Sequence, residues 1–448
     1  RPPGGSGQII VRGSSPQDSQ AVIEGVAIPQ LYHFGGIYSV LNTDLLDGVD
    51  FSPSGYAVRY GRRNGGLIES RLRLPRQQER WRGYIEANAF HTGFLLQGPI
   101  GDDTNIALAA RRSYIDAILA ALPDDLLPLT VAPRYYDGQL KLDHRFSSRL
   151  SATVMAFGSD DELRAVVDEP PAAFPDARGT ISSSITFGGA IATLRYVGKS
   201  LLYKGTLAFV PNKISASIGE SLNFDLTNRE VTVRQEVSYG TKPIRMRAGI
   251  DWLWSGYDIS LRLPVSPRTG ETGGAQSSFA NPESVLQSGS FYSPAVWADV
   301  VMRPLTNLEL VAGARLDFFR QYIGSDDRRE RRRIDTTVTP RINARYKVND
   351  TVTVKVAAGS TSQAPQPQQL SDAPFGNPLL SAQRSSETTL GTELKLTEAI
   401  DIDIQLFDKQ LRNLVVRGTD FSGSLYTNEG TGRVYGAEIL LRHKPVRQ

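Results

Sequence analysis

The sequence predicts an all-β protein: a transmembrane antiparallel β-barrel with an N-terminal mixed α/β unit in its lumen. Two observations carry this. Apolar and polar residues alternate along segment after segment, and short connections alternate with long ones between those segments. In Thr351–Val356, Val352, Val354 and Val356 share one parity, and Thr351, Thr353 and Lys355 the other. Ile400–Leu406 repeats this, with Ile400, Ile402, Ile404 and Leu406 set against Asp401, Asp403 and Gln405. In Leu308–Phe318, Leu308, Leu310, Ala312, Leu316 and Phe318 oppose Glu309, Arg315 and Asp317. A period of two gives a strand one apolar and one polar face. The polar face is too charged for a protein core, whereas lipid on one side and a wet lumen on the other satisfy both.

Bulk properties bound the function. The 448 residues carry 50 Lys+Arg against 47 Asp+Glu, a net charge of +3, which gives no case for nucleic acid as partner. Mean hydropathy is −0.26, compatible with a barrel because only every second residue meets lipid. No apolar run reaches the roughly 18 residues of a membrane helix. With no cysteine there is no disulfide, thiol nucleophile or zinc–thiolate site, and four histidines without paired spacing offer no metal site. Gly61, Gly65 and Gly66 lack the Lys-Ser/Thr of a phosphate loop, and no nucleophile–base–acid order appears, so no enzyme, catalytic residue or cofactor is expected. Arg1 opens the chain without Met or a signal peptide, as in a mature or trimmed fragment.

Taken in order, residues 1–75 are Gly-rich with short apolar bursts and the turn signals Gly35-Gly36, Ser54-Gly55 and Gly65-Gly66, reading as a small unit of short strands. A linker, Pro75–Arg80, follows. Residues 81–448 then hold about sixteen strands, near 81–90, 92–100, 104–112, 132–143, 149–158, 180–197, 200–210, 222–239, 245–259, 291–303, 308–322, 336–346, 351–359, 385–396, 400–412 and 431–442. Gly101–Asp103, Pro304–Asn307, Lys347–Asp350 and Thr397–Ala399 are short connections; 113–131, 159–179, 260–290, 323–335, 360–384 and 413–430 are long. A barrel threaded through an outer membrane sorts its loops this way, with tight turns periplasmic and long loops extracellular. A soluble sandwich, or a soluble β-rich enzyme, has no reason to. Tyr135, Tyr136, Trp252, Trp254, Phe291, Tyr292, Phe318, Phe319 and Tyr322 fall near strand ends, as interfacial girdles or as cross-strand pairs. Asp124-Asp125 and Asp160-Asp161 fall in long connections, where such pairs either bind a cation or, more commonly, are solvated loop charge.

Two stretches resemble TonB-dependent outer-membrane receptors. The first runs from Val11-Arg12-Gly13 through Ala21-Val22-Ile23-Glu24-Gly25-Val26-Ala27-Ile28 and Leu45–Phe51 to Tyr60-Gly61-Arg62 and Gly65-Gly66-Leu67-Ile68, and is similar to the family's plug. Glu24 stands where Asp is usual, and Ala27 where Pro is common. The second comprises Thr339–Tyr346, Gly376–Leu380, Leu390–Glu393, Asn428–Gly430 and Val434–Glu438, and is similar to the family's last strands. The resemblance implies a plug domain over 1–75 and a barrel over 81–448, incomplete because about sixteen strands are legible where such transporters have about 22. It implies import of a scarce ligand, siderophore-bound iron by default, across the bacterial outer membrane, bound between plug apex and outer loops. Its partners would be outer-membrane lipid and lipopolysaccharide, a TonB-type periplasmic energy transducer, an unknown small or macromolecular ligand and any chain completing the barrel. The alternative is an outer-membrane structural or assembly anchor without energy-dependent transport.

The resemblance also singles out residues. Arg12 and Arg62 sit where the family's plug carries arginines, and Glu393 and Glu438 where its barrel carries lumen-facing glutamates, implying a plug–barrel lock of two Arg–Glu pairs. Gln30, Tyr32, His33 and Phe34 follow the plug's Gly-Val turn and would either meet ligand at the apex or pack the plug against the wall. Arg328, Arg329, Arg331, Arg332 and Arg333 form a basic outer-loop run, suited to lipopolysaccharide phosphates or to a solvated tip.

Overall fold

The computed structural model describes residues 10–34, 36, 38–73, 80–120, 131–167, 179–218, 222–263, 283–323, 331–370, 376–417 and 426–443. Sixteen strands form one antiparallel sheet in which every strand bonds to its sequence neighbours. They are β5 (Arg82–Ala87), β6 (His91–Ile100), β7 (Thr104–Ser113), β8 (Val131–Arg145), β9 (Leu150–Val167), β10 (Gly179–Val197), β11 (Leu201–Ile218), β12 (Leu222–Thr241), β13 (Ile244–Leu263), β14 (Glu283–Leu305), β15 (Leu308–Ile323), β16 (Arg331–Lys347), β17 (Val352–Gln363), β18 (Gln383–Lys395), β19 (Ile400–Arg417) and β20 (Tyr426–His443). Each matches one sequence-predicted segment. Most run longer than predicted at the end nearer a long connection, because backbone pairing continues where side-chain alternation fades. One such connection begins with a single short helix, α1 (Ile115–Ala120).

Alternation sorts the faces as period two requires. Val296, Leu316 and Val338 lie side by side on β14, β15 and β16. Val338 is 65% exposed, whereas Arg315 and Asp317 between them are fully buried. Leu207, Phe209, Ile342, Leu390 and Leu406 extend the exposed apolar face.

Before the sheet, β1 (Gln20–Ile23), β2 (Val26–Ile28), β3 (Leu46–Ser52) and β4 (Leu67–Leu72) make a second sheet in the order β2-β1-β4-β3. β1 and β4 pair in parallel, the other neighbours antiparallel. The helical component among the described residues here is two 3-10 turns, Pro16–Asp18 and Thr43–Leu45.

The long sheet wraps this unit. Asn42 donates to the Tyr84 hydroxyl of β5, and Arg12 reaches Glu438 of β20, so the first and last strands touch the same small body. The inward face is not uniformly polar. Met155, Phe157, Phe187, Ile191, Ala208 and Val210 of β9 to β11 share one core with Ile23, Val26, Ile28, Leu31, Val40 and Leu41 of the unit. There the lumen wall is glued by the hydrophobic effect rather than by water.

The exposed face should carry the cost of a charge in lipid. Leu207→Arg and Val338→Arg, both near strand centres, are each expected to destabilise the protein in phospholipid vesicles by about 2–4 kcal/mol. Urea unfolding measures this; unchanged stability would remove that face from the hydrocarbon.

Candidate functional site: the interface between the N-terminal unit and the sheet

Three polar clusters join the unit to the sheet. In the first, the Arg12 guanidinium donates to Glu438 (3.1 and 2.7 Å), Glu387 (2.9 Å), Gln405 (2.8 Å), Ser54 (2.7 Å) and Thr389 (3.2 Å). Its far side lies 4.3 Å from the Phe407 ring centroid, a cation–π contact.

The second cluster centres on Asp251 of β13. Its Oδ2 accepts from Arg62 (3.0 Å), Arg234 (3.4 Å) and Arg315 (2.8 Å). Arg62 also donates to the carbonyls of Asp251 and Ser293 and to the Ser293 hydroxyl. The sheet's arginines in turn satisfy the carbonyls of the unit's irregular segment 56–60. Arg315 and Arg234 donate to Arg59 O, and Arg341 donates to the carbonyls of Tyr56, Ala57 and Tyr60. Gly61 is required here, since a Cβ on it would stand 2.4 Å from Arg315 Nε.

In the third cluster His33, 1% exposed, bridges Asp137 of β8 and Asp161 of β9 through Nε2 (3.0 Å) and Nδ1 (2.5 Å). It stacks on Tyr135, centroids 4.1 Å apart, and Gln30 bonds the same Asp161. Burial opposes protonation of His33, but the hydrogen bonds its ring donates to both carboxylates, with their charges, outweigh it and raise its pKa above the ordinary value.

Backbone strain marks the same positions. Arg12, Glu24 and Arg62 are three of the four described non-glycine residues with positive φ, at 47°, 51° and 65°. Each crosses to the sheet, Glu24 by an ion pair with Lys204 of β11. Left-handed backbone costs of order 1 kcal/mol or more and persists where the surroundings over-determine it.

The structure brings Arg12 and Glu438 together. It does not bring Arg62 and Glu393 together. Glu393 stands opposite Thr353 and Asp403 near the short-connection end of β18 and bonds Lys355 and Arg345, whereas Arg62 meets β13 and β14 farther round the wall. Asp161, expected as solvated loop charge, is fully buried because β9 continues past it and faces the unit. Gln30 and His33 are buried at the interface, and Tyr32 packs on the shared core; Phe34 is partly exposed. Of the basic run, Arg328 and Arg329 lie outside the described residues. Arg331, Arg332 and Arg333, expected in a loop, belong to β16, paired with Ile323, Tyr322 and Gln321. Sequence reading missed Asp251, Arg234, Arg315, Arg341 and Glu387 as unit contacts; their one signal is inward parity on charged strands.

Beside the Asp251 cluster lies a cavity of about 480 Å³ between the unit and β11 to β15, on the half nearer the long connections. Gln30, Arg62, Arg63, Arg234, Asp251 and Tyr257 line it, among others. Among the described residues no group of acidic, His or Cys side chains is arranged to hold a metal.

Comparisons bear on this architecture. Residues 80–444 match the family described as TonB dependent receptor-like, beta-barrel. Similar solved structures include the FpvAI-pyocin S2 complex (TM-score 0.70, 12% identity, 96% of this chain and 63% of that chain). The ferric yersiniabactin uptake receptor FyuA from Yersinia pestis is similar too (0.68, 13%, 95% and 67%), as is the copper transporter OprC (0.71, 10%, 99% and 72%). At these identities the likeness is one of fold. The chain thus spans roughly two thirds of these proteins' length. No curated protein sequence matches it.

Two outcomes test the interface. Asp251→Asn leaves buried Arg62 without a carboxylate and strips one of two from Arg234, which keeps Glu236, and from Arg315, which keeps Asp317; it should cost about 3–5 kcal/mol, against about 1 kcal/mol for Glu438→Gln, whose partner Arg12 keeps Glu387. Thermal unfolding in detergent gives the ranking; equal losses would refute it. Because the pKa of folded His33 is raised, its contribution is complete below pH 6.5, its unfolded value, and fades as pH rises through the folded value. Stability should therefore fall above pH 6.5, and His33→Gln should flatten that slope; a variant with the same slope would contradict the assignment.

Proposed function

The chain belongs to the TonB-dependent receptor family, and we propose that it imports a scarce ligand across the bacterial outer membrane, with residues 1–75 as plug and 81–448 as barrel. The observation that carries this is the ring of buried polar contacts fixing a small strained unit inside the sheet, beside a cavity on the long-connection side. An element held only by apolar packing would be a permanent part of the core. One held by shared buried ion pairs is stable while every partner is present and unstable once one is withdrawn.

In this reading the long connections face the medium and the short turns face the periplasm. Ligand settles in the cavity against the unit, and Gln30 lies at that boundary. A TonB-type transducer then pulls on the unit from the periplasmic side, Arg12 and Arg62 leave their carboxylates, and the ligand passes. No bond in the ligand is made or broken, and receptors of this family are not enzymes. Siderophore-bound iron is the first ligand to test, supported by the uptake receptor for ferric yersiniabactin among the similar folds.

Cells relying on this protein should accumulate radioiron from a ferric siderophore, and a protonophore should abolish accumulation while surface binding persists. Accumulation indifferent to the protonophore would make it a passive pore; binding of partners without any accumulation would favour the anchor.

A further inference from the structure

The cavity beside Asp251 carries information about what it holds. Its volume, about 480 Å³, lies within the range of small-molecule sites. Among its described lining residues are three arginines, Arg62, Arg63 and Arg234, against two carboxylates, Asp251 and Glu230. Arg62 and Arg234 are spent on Asp251, which Arg315 also shares. Glu230 is held by the Asn228 amide at 2.8 Å. Arg63 differs. It has no ion pair among the described residues, and its one hydrogen bond there is a long one of 3.5 Å to the carbonyl of Arg62. Burial holds its guanidinium below the ordinary value, and the charges of Glu230 and Asp18 do not restore it.

Two buried polar atoms on the same lining are also unmatched. The Tyr257 hydroxyl and Gln30 Oε1 have no hydrogen-bond partner among the described residues, though the two residues are only 3% and 5% exposed. Tyr257 can lie flat there because its cross-strand partner is Gly289, where a Cβ would stand 2.3 Å from the hydroxyl. Leaving such atoms unpaired costs about 1–3 kcal/mol each, which a ligand would recover. Two aromatic rings of the same lining, Phe291 and Phe319, stack at 6.0 Å between centroids.

We propose that the cavity selects an anionic ligand bearing a planar aromatic group, with Arg63 as its counter-charge, the Tyr257 hydroxyl as a donor to it and Gln30 as an acceptor. This deepens the uptake reading and rests on it. An anionic iron chelate and a free aromatic acid share that chemistry.

The test uses the full chain in detergent, with tryptophan fluorescence reporting binding. The probes are ferric tris(2,3-dihydroxybenzoate), which is anionic, a ferric trihydroxamate without net charge, and iron-free 2,3-dihydroxybenzoate. The anionic chelate should bind. Arg63→Ala should weaken it about tenfold or more and Arg63→Lys much less, since a charged hydrogen bond is lost in the first alone. Tyr257→Phe, which keeps the ring, should weaken it severalfold. Binding of the iron-free acid as tight as that of the chelate would identify the ligand as an organic anion rather than a chelate. The proposal falls if the neutral chelate binds as tightly as the anionic one, if Arg63→Ala leaves the anionic affinity unchanged, or if no probe binds. Energy-dependent accumulation of the neutral chelate alone would leave uptake standing and overturn charge selection. Arg63-dependent binding without accumulation would do the reverse.

Discussion

Asp251 is the point on which the interface turns. One carboxylate from β13 is shared by Arg62 of the N-terminal unit and by Arg234 and Arg315 of the sheet, with all three guanidiniums largely removed from water. Buried charges are tolerable only when paired and hydrogen-bonded. That requirement ties the unit to β13 and β14, where Arg62 meets the Asp251 carboxylate and the carbonyls of Asp251 and Ser293. It also lets the irregular segment 56–60 exist inside a lumen, since its carbonyls have no strand partner and take their donors from Arg234, Arg315 and Arg341.

The interface is uneven in chemistry. Toward β9, β10 and β11 the unit shares an apolar core, with the His33–Asp137–Asp161 cluster and the Glu24–Lys204 ion pair beside it. Toward β12 to β20 it is held by ion pairs and hydrogen bonds whose members sit on strained backbone. Apolar packing resists separation smoothly, whereas buried ion pairs fail abruptly when geometry is lost. A pull on the unit would therefore open the polar side first and leave the apolar side as a hinge. The cavity lies against that polar side, with Arg62, Arg234 and Asp251 lining both. A ligand can bias the unit only through a difference in affinity between its held and released states, and shared residues provide one.

How much of this was legible in the sequence follows from what period two encodes. Alternation fixes which face a residue takes, so Arg315 and Asp317 were placed opposite Leu316 and Phe318 correctly, and the number of strands in the long sheet followed. It does not encode which inward residue meets which part of an enclosed unit. That depends on the curvature of the whole sheet and on the unit's orientation. Hence Arg12 and Glu438 are legible only through a family resemblance, which misplaces Glu393, and nothing in the sequence marks Asp251 between Ile250 and Trp252. Asp161 is hidden for another reason: its neighbours look like the start of a loop, and the pairing of β9 with β8 and β10 carries the strand past it. The Arg12-Gly13 and Glu24-Gly25 dipeptides were the available signal for the strained contacts, because a glycine following a charged residue permits a tight left-handed turn there.

In the proposed transport cycle the N-terminal unit leaves its polar contacts for cargo to pass. The most direct measurement tethers it. Ser54 and Thr389 face each other across the interface with hydroxyls 3.0 Å apart, and the chain has no cysteine of its own. In a Ser54→Cys/Thr389→Cys protein, uptake should be lost on oxidation and regained on reduction, with surface binding unchanged throughout. Full uptake by the oxidised, verifiably cross-linked protein would contradict the claim.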